Sequence, residues 1–301
     1  MSTTFDRAAS KAAASPGAVR RPSAMRRILA WLRSDLRAAV SLAYLLLLFS
    51  LVLFAGAIAP QSPVAQSMDM LAPPDATHWL GTDDLGRDVF SRLVHGAPMT
   101  LYASFLAVCV GSLIGLPVGI LAGYLGGWVD TLTGRIIDAL LSFPSIVLAI
   151  AVTGALGIGL TNSMIAVGIV FSPGLARLIR VQTIVVKNEL YVDAARSFGM
   201  SPLHLVWRHI LPNAIQPFIV QVTLLLATAL LAEASLSFLG LGVQPPQPSW
   251  GQMLARAYGY MEISPEQMYA PGLAILFTAL AFNALGESLR AALDPTRRRS
   301  D

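Results

Sequence analysis

Six long apolar segments alternate with shorter polar segments along this chain of 301 residues. Each apolar segment carries few charges and runs for roughly the 20 residues that an α-helix needs to cross the hydrocarbon of a bilayer. The pattern therefore predicts an all-α integral membrane protein with six transmembrane helices. The predicted spans are residues 38–59, 99–124, 136–156, 163–186, 214–241 and 269–289.

The polar segments define the remaining parts of the chain. They are a basic N-terminal tail, an outer loop, a structured loop, a second outer loop and a C-terminal tail, at residues 1–37, 60–96, 188–212, 243–268 and 293–301. We expect the N-terminal tail to be partly disordered, because it is polar and rich in small residues. Residues 97–292 are predicted to form one transmembrane core.

The distribution of basic residues predicts the orientation in the membrane. Lys and Arg are concentrated in both tails, in the turn after the second span and in the loop 188–212. The outer segments contain only Arg87, Arg92 and Arg256. Cytoplasmic loops carry the excess of basic residues in membrane proteins. We therefore predict a multi-pass membrane protein with both termini and the loop 188–212 in the cytoplasm.

Composition excludes several classes of protein. The chain is 55% hydrophobic and only 13% charged, whereas a soluble domain carries about 25% charged residues. The net charge of +4 is small, and a basic tail directly before a membrane span is a poor nucleic-acid site. Cys109 is the only cysteine, and the four histidines lack ligand-like spacing. We predict no metal site and no nucleic-acid partner.

The motifs of common enzymes are also missing. The only lysines are Lys11 and Lys187, and neither belongs to a G-x-x-x-x-G-K-[ST] phosphate loop. The chain contains no G-x-S-x-G elbow and no dinucleotide fingerprint. We predict a polypeptide without catalytic residues and without a bound cofactor.

The loop 188–212 has the local pattern of two short helices joined by a bend. Asn188 is suited to cap the first helix, and Gly199 suits the position just past its end. Ser201 is suited to cap the second helix with Pro202 at its first position, and Pro212 is predicted to stop it. The loop is therefore predicted to be folded.

The same loop is too polar to lie in hydrocarbon. Its charged residues include Glu189, Asp193, Arg196 and Arg208. Ala194 and Ala195 leave a flat face that another protein could approach closely. Two interpretations fit equally well: a helix presented to a partner, or an amphipathic helix on the membrane surface.

The first outer loop contains a dense cluster of charges, which includes Asp83, Arg87, Asp88 and Arg92. Two carboxylates could serve as a general acid and base, but ion pairs between the arginines and the aspartates are the simpler interpretation. In the second outer loop, Trp250 suits the belt of aromatic residues at the lipid headgroups.

Two features lie within the predicted spans. A stripe of small residues recurs every four positions, at Gly111, Gly115, Gly119 and Gly123. Such stripes allow helices to approach closely in lipid, and packing within the subunit is favoured over a dimer seam. Asp138 and Glu233 are acids in or near apolar spans. Each fits either a role in a substrate pathway or local pairing, with Arg135 as the expected partner of Asp138.

The loop 188–212 resembles the EAA loop of ABC importer permeases. That loop reads Glu-Ala-Ala, three residues, Gly, nine residues, Ile, any residue, Leu-Pro. The matching residues here are Asp193, Ala194, Ala195, Gly199, Leu211 and Pro212. Asp193 replaces the glutamate with its charge kept, and His209 occupies the isoleucine position.

Two outer strings resemble the peptide and nickel branch of the same family. The first matches at Gly81-Thr82-Asp83, at Gly86-Arg87-Asp88 and at Ser91-Arg92. The second is LSFLGLGVQPPQPSWGQML, residues 236–254. The resemblance covers about residues 80 to 295.

The resemblance implies the type I ABC importer fold and one of two permease subunits in the bacterial inner membrane. The implied partners are a second permease, two cytoplasmic ATPases that bind ATP and Mg²⁺, an extracytoplasmic solute-binding protein and lipid. It assigns ATPase coupling to the loop residues Glu189, Asp193, Ala194, Ala195, Arg196, Gly199, Leu211 and Pro212. It assigns partner contacts outside the membrane to Asp83, Arg87, Asp88, Arg92 and Trp250.

The resemblance leaves the cargo open among dipeptides, oligopeptides, glutathione and nickel. Two other classes of protein remain as alternatives. A secondary transporter would use an ion gradient, but it commonly has paired broken helices or charges in two halves of the chain. A membrane scaffold would transport nothing.

Overall fold

The computed structural model describes residues 31–293. Both predicted tails lie largely outside this range, so the expected partial disorder of the N-terminal tail stays a prediction. The helices are α1 Leu36–Leu53, α2 Ala55–Ile58, α3 Val89–Leu125, α4 Gly127–Leu141, α5 Ser145–Leu156, α6 Leu160–Lys187, α7 Leu190–Ser197, α8 Pro202–Leu205, α9 Leu211–Phe238, α10 Trp250–Tyr258 and α11 Tyr269–Leu293. A π-helical turn, Val206–Ile210, joins α8 to α9, and a 3₁₀ turn, Pro265–Met268, precedes α11.

The membrane-crossing pattern agrees with the predicted class. Five helical stretches among the described residues are long and apolar enough to span a bilayer, at 36–53, 89–125, 160–187, 202–238 and 265–293. The pair α4 and α5 adds a sixth if the two count as one span. The all-α, six-span class is therefore confirmed.

The predicted third span, 136–156, is not one straight helix. α4 and α5 meet at an angle of 96°, and the break contains Phe143 and Pro144. Pro144 has no N–H to donate, and it disfavours the helical region for the residue before it. The helix therefore ends at Leu141 and restarts at Ser145.

Other helix ends also differ from the predicted spans. α3 begins at Val89, ten residues before the predicted start, because Asp88 caps it through a 2.7 Å hydrogen bond from the Ser91 amide. The helix that contains the fifth span begins at Pro202 rather than at residue 214. These helices begin with polar turns that lie beyond the apolar span. The pattern of apolar residues does not indicate where such a helix begins.

The glycine stripe of α3 lies directly against α6. A Cβ atom added at Gly119 would sit 2.5 Å from the Ala176 carbonyl oxygen and 2.9 Å from the Ile179 Cβ. Gly168 of α6 approaches α3 in the same way, with the Ala107 carbonyl oxygen 2.6 Å from its hypothetical Cβ. At Gly111, Gly115 and Gly123 the nearest atom of α6 lies 3.0, 2.7 and 2.7 Å from the hypothetical Cβ. Within this chain, the stripe packs two helices of one subunit together.

The remaining helices complete the bundle around this pair. α9 packs against α3, α6 and α11, and α11 packs against α1. A hydrogen bond of 2.9 Å between Tyr44 and Thr278 joins α1 to α11. The bundle therefore holds α9, and with it the loop that precedes α9, in a fixed position.

Candidate functional site

The loop 188–212 begins with α7, which follows α6 after a single turn. Asn188 does not cap α7 as predicted, because it ends α6: its amide donates to the Val185 and Val186 carbonyls. Glu189 takes the N-cap position of α7 instead, and its side chain makes no capping bond. The Glu189 side chain is therefore left on the exposed side of the loop.

Gly199 shapes the end of α7. Its φ angle is +78°, in the left-handed region that favours glycine. The Gly199 amide donates to the Arg196 carbonyl at 3.0 Å, and the Met200 amide donates to the Ala195 carbonyl at 3.3 Å. This pair of bonds is the Schellman arrangement. It fixes the direction in which the chain leaves α7.

One face of α7 is buried against the membrane-spanning helices. Val192 and Ala195 are buried. They belong to a small apolar cluster with Val186, Leu205, Ile210 and Ala214. Of the two predicted face residues, only Ala194 is exposed, while Ala195 lies in the cluster. α7 is therefore anchored by its own hydrophobic core and is not a free amphipathic helix.

The loop also exposes four large apolar side chains. Leu190 is 86% exposed, Phe198 90%, Leu203 70% and Trp207 64%; we call these four residues the apolar face. Asp193 and Arg196 form an exposed ion pair, with 3.0 Å between Arg196 Nη1 and Asp193 Oδ1. Exposed apolar patches with a polar rim mark surfaces that bind a protein or a membrane.

The second half of the loop continues into the membrane without a break. Pro212 does not stop the helix, contrary to the prediction, and lies exposed near the start of α9. The preceding π turn explains this, since the Leu211 amide donates to the Val206 carbonyl five residues back. A wider turn relieves the clash between a proline ring and the carbonyl four residues earlier. Residues Pro202–Phe238 thus form one long helix.

Polar contacts tie the base of the loop to the bundle. Lys187 Nζ donates to the Tyr124 carbonyl at 2.6 Å, at the end of α3. Arg180 Nη2 donates to Asp130 Oδ2 at 2.7 Å, which joins α6 to α4. Asp138 pairs with Arg177 rather than with the predicted Arg135. Asp138 and Arg177 thus form a partly exposed ion pair between α4 and α6, and a pathway role for Asp138 stays a prediction.

The outer charge cluster is a second, separate site. Asp83 accepts from Arg87 Nε at 2.7 Å and lies 3.3 Å from Arg92 Nε. Asp84 accepts from Arg256 Nε at 3.1 Å and from Arg256 Nη2 at 2.5 Å. The paired Asp84 carboxylate raises the pKa of Arg256 above its ordinary value. These contacts join the first outer loop to α10 of the second.

The prediction that this cluster faces an outer partner is wrong for the side chains named. Asp83, Arg87, Asp88 and Arg92 are all buried, and each makes an ion pair or a hydrogen bond within the chain. Trp250 is also buried rather than placed in a headgroup belt. Its indole Nε1 donates to the Leu93 carbonyl at 2.9 Å, and its amide donates to Thr100 Oγ1 at 3.1 Å. Trp250 therefore attaches α10 to α3 through these two hydrogen bonds.

Glu233 lies where α9 meets the start of α10. The residue is fully buried, and Oε1 accepts from Ser237 Oγ at 2.8 Å and from Ser249 Oγ at 2.9 Å. Ser249 is itself the N-cap of α10. A carboxylate near a helix N-terminus is electrostatically favoured. These contacts pair α9 with α10, whereas Oε2 has no hydrogen-bond partner among the described residues, and a role for Glu233 in the substrate path stays a prediction.

Comparison with known proteins identifies the chain. Residues 115–299 match the family described as binding-protein-dependent transport system inner membrane component. The chain belongs to this family. It is 47% identical over 222 residues to the glutathione transport system permease protein GsiD of Pectobacterium atrosepticum, which covers 74% of each chain.

A second relative and a solved structure agree with this assignment. The chain is 43% identical over 225 residues to the dipeptide transport system permease protein DppC of Alkalihalophilus pseudofirmus, covering 75% of this permease and 74% of the relative. An inward-facing structure of the MetNI methionine ABC transporter matches with a TM-score of 0.56 and 22% identity. That match covers 67% of the permease and 97% of the solved chain, and it supports the type I ABC importer fold.

Sequence reasoning missed several residues of the permease that the structure brings forward. The apolar face was not predicted, because a helix with apolar residues on both sides gives no clear division into a buried and an exposed side. Phe198, next to Gly199, was the signal in the sequence that could have indicated an exposed apolar residue. The pairing of Asp84 with Arg256 was also missed. Those two residues lie 172 positions apart, and pattern analysis does not reach across that distance.

The pair of Asp84 and Arg256 should stabilise the outer surface of the permease. The Arg256→Met change leaves the Asp84 side chain, which is only 7% exposed, with Arg87 Nη2 as its nearest cation at 3.9 Å. Removing one partner of a largely buried pair is costly, and we expect a loss of about 2 kcal/mol. Thermal unfolding in detergent should show a Tm lower by about 4 °C or more. The control is Arg37→Met, at an exposed site without an ion pair among the described residues. An equal Tm for the Arg256→Met and Arg37→Met variants would contradict the expectation.

Proposed function

We propose that this permease forms half of the translocation pathway of an ATP-driven importer for short peptides or related solutes. The relatives named for glutathione and dipeptide transport support this class of cargo, since they are 43–47% identical to this chain. Nickel, which the sequence left open, has no comparable support. The other half of the pathway would be a second, similar permease.

One observation carries the proposal: the apolar face on the loop 188–212. Four large apolar side chains of this folded segment are exposed rather than buried in its apolar cluster. Exposing them to water is unfavourable by roughly 25 cal/mol for each Å² of apolar area. A cytoplasmic ATPase subunit that covers this face would remove that cost. The docked element would be α7, with the ion pair of Asp193 and Arg196 at its rim.

The fold connects the apolar face to the membrane-spanning helices, so that a movement of one can displace the other. α7 is anchored by Val192 and Ala195, so it cannot slide freely on the bundle. The Gly199 turn connects it to α8, and α8 continues through the π turn into α9. A displacement of α7 therefore moves α9 and the helices packed against it. When ATP closes the two ATPase subunits, this connection would convert the permease pair from inward-facing to outward-facing.

The remaining parts of the proposal concern the partners. ATP and Mg²⁺ would be bound by the ATPase subunits, and this chain would carry out no catalysis. An extracytoplasmic solute-binding protein would deliver the peptide to the outer surface. The positive-inside pattern supports an orientation in which both termini and the loop 188–212 are cytoplasmic.

Uptake in vesicles tests the proposal against its two rivals. Peptide uptake should stop when ATP is depleted and should persist when the ion gradient is collapsed by an ionophore. The opposite pattern would identify a secondary transporter. Absence of uptake under both conditions, together with failure of any ATPase to co-purify, would identify a scaffold.

Docking through the apolar face has a sharper test. Phe198→Asp replaces the most exposed side chain of this face, which is 90% exposed in the isolated chain, with a carboxylate. Large aromatic side chains commonly dominate protein interfaces, and the loss of one costs about 2 kcal/mol or more. We expect the affinity of the permease for its ATPase to fall at least about ten-fold, as measured by co-purification across a dilution series.

Phe198→Leu is the matched control, because it keeps the face apolar and should retain most of the affinity. Unchanged co-purification of the Phe198→Asp variant would show that the face is covered by something other than the ATPase.

A further inference from the structure

A groove of about 560 Å³ lies between α6, α9 and α11, on the side of the bundle that carries α7. Four of its lining residues have amide side chains: Gln182, Asn213, Gln216 and Gln221. Arg290 of α11 completes the polar lining, and we call this cavity the amide groove. Its volume falls within the range of about 300–1,000 Å³ that is typical of small-ligand sites.

Lipid tails are a poor occupant for the amide groove. Asn213 Nδ2 donates to the His209 carbonyl at 2.7 Å. Gln182, Gln216 and Gln221 have no side-chain hydrogen bond to any residue between 31 and 293. An amide left without a hydrogen bond in an apolar medium costs several kcal/mol. Three glutamines on one groove therefore require water or a polar ligand.

The chemistry of the lining selects the class of ligand. Each amide offers two N–H donors and a carbonyl acceptor, which match the N–H and C=O groups of a peptide main chain. Arg290 offers the planar fork that pairs with a carboxylate. The groove contains no Asp, Glu, His or Cys among its lining residues. It therefore lacks the ligands that divalent nickel prefers.

The spacing of the amides fits a short extended peptide. Asn213 and Gln221 are eight positions apart on one helical stretch, which corresponds to about 12 Å at 1.5 Å per residue. An extended chain of three to four residues spans roughly the same length. The apolar lining residues, such as Leu178 and Val220, make no directional contacts and so suit peptide side chains of varied type.

We propose that the amide groove is a peptide site at the cytoplasmic mouth of the pathway, in which Arg290 holds the terminal carboxylate and the amides hold the main chain. The inference rests on the proposed function, which supplies the peptide and places this side of the bundle in the cytoplasm. It adds that this subunit itself discriminates peptides with a free C-terminus from metal ions.

A protection assay on the assembled transporter tests the site. Leu178→Cys in a Cys109→Ser background places one thiol on the groove wall. The nucleotide-free complex in phosphatidylcholine nanodiscs is alkylated with N-ethylmaleimide. The probes are Ala-Ala-Ala, its C-terminal amide and nickel chloride. We expect Ala-Ala-Ala to slow alkylation, the amide to need about a ten-fold higher concentration, since it lacks the charge-assisted pair, and nickel to have no effect.

Variants locate the contacts. Arg290→Gln should make the acid and the amide equally weak protectants, and Gln221→Leu should weaken both about ten-fold. Arg37→Gln and Thr223→Val are the matched controls, because both positions lie outside the groove. Ala-Ala-Ala should protect the thiol in these two variants as well as it does in the parent.

The failure of this site and the failure of the proposed function give different results. ATP-driven peptide uptake with no protection by Ala-Ala-Ala, or with equal protection by acid and amide in the parent, would overturn the site alone. Protection with no ATP-driven uptake by any assembly would overturn the proposed function and leave the site. The assay is repeated in nanodiscs that contain phosphatidylglycerol. If alkylation is slow only in these nanodiscs, with or without peptide, the groove binds an anionic lipid headgroup and the peptide site is overturned.

Discussion

Replacing Gly199 with valine should reduce ATP-driven uptake at least about ten-fold while the permease remains folded and bound to its ATPases. The φ angle of +78° at this position is unfavourable for a β-branched residue, with a strain of about 1–3 kcal/mol. That strain is smaller than the total stability of a typical folded protein, about 5–15 kcal/mol. The chain should therefore relieve it locally by opening the turn, which changes the angle between α7 and α8.

The open space around Gly199 shows that the expected loss of uptake would come from backbone strain and not from steric overlap of the new side chain. No atom lies within 4 Å of a Cβ added at this position, so the valine side chain meets no neighbour and only the backbone is strained. The loss should appear as ATP hydrolysis without uptake, because docking through the apolar face persists while the force no longer reaches α9. Uptake and ATPase activity are measured together in proteoliposomes.

Two variants serve as controls for this expectation. Gly199→Asn should retain most uptake, since asparagine tolerates the left-handed region better than other residues with a side chain. Gly134→Val changes a glycine of α4 that also has open space around it. Normal coupling in the Gly199→Val variant would show that the turn does not transmit the movement of α7.

Replacing Gly119 with leucine should prevent the permease from accumulating as a folded protein. The first added carbon already lies 2.5 Å from the Ala176 carbonyl oxygen, and that oxygen belongs to the backbone of α6, which cannot turn aside. Overpacking a close-packed site costs about 1–3 kcal/mol or more. The leucine adds three further carbons and must separate α3 from α6, so we expect a loss of about 3 kcal/mol or more. The yield of monodisperse protein in detergent and its Tm measure this loss.

Gly134→Leu provides the matched control, since no atom lies within 4 Å of its hypothetical Cβ. Gly119→Ala should give an intermediate loss, because it adds only the first of the clashing atoms. A folded Gly119→Leu variant with the Tm of the control would mean that α3 and α6 do not touch along this stripe.

The membrane-spanning pattern was predictable because the bilayer itself sets the length and polarity of a span. The ends of the helices were not, since they depend on local contacts outside the hydrocarbon. Asp88 starts α3 ten residues early through its cap. The π turn carries a helix through Pro212. Propensity rules treat each of these residues alone and miss the neighbours that change its role.

The loop 188–212 was predictable to a similar extent. The positive φ angle at Gly199 follows from local chemistry, and the structure contains it. The division between buried Val192 and exposed Phe198 does not, because both are apolar and only the packing of α7 on Ile210 and Ala214 decides which one faces outward. The outer cluster shows the same limit, since its arginines could equally have served an external partner.

The bond between Asp84 and Arg256 has a consequence for how the permease is made. The two residues are 172 positions apart, so at a synthesis rate of about 5–20 residues per second, roughly 10–30 s separate their emergence from the ribosome. In the proposed orientation, Asp84 would cross the bilayer before Arg256 has been made. A truncated nascent chain would therefore expose the Asp84 carboxylate that Arg256 covers in the complete chain.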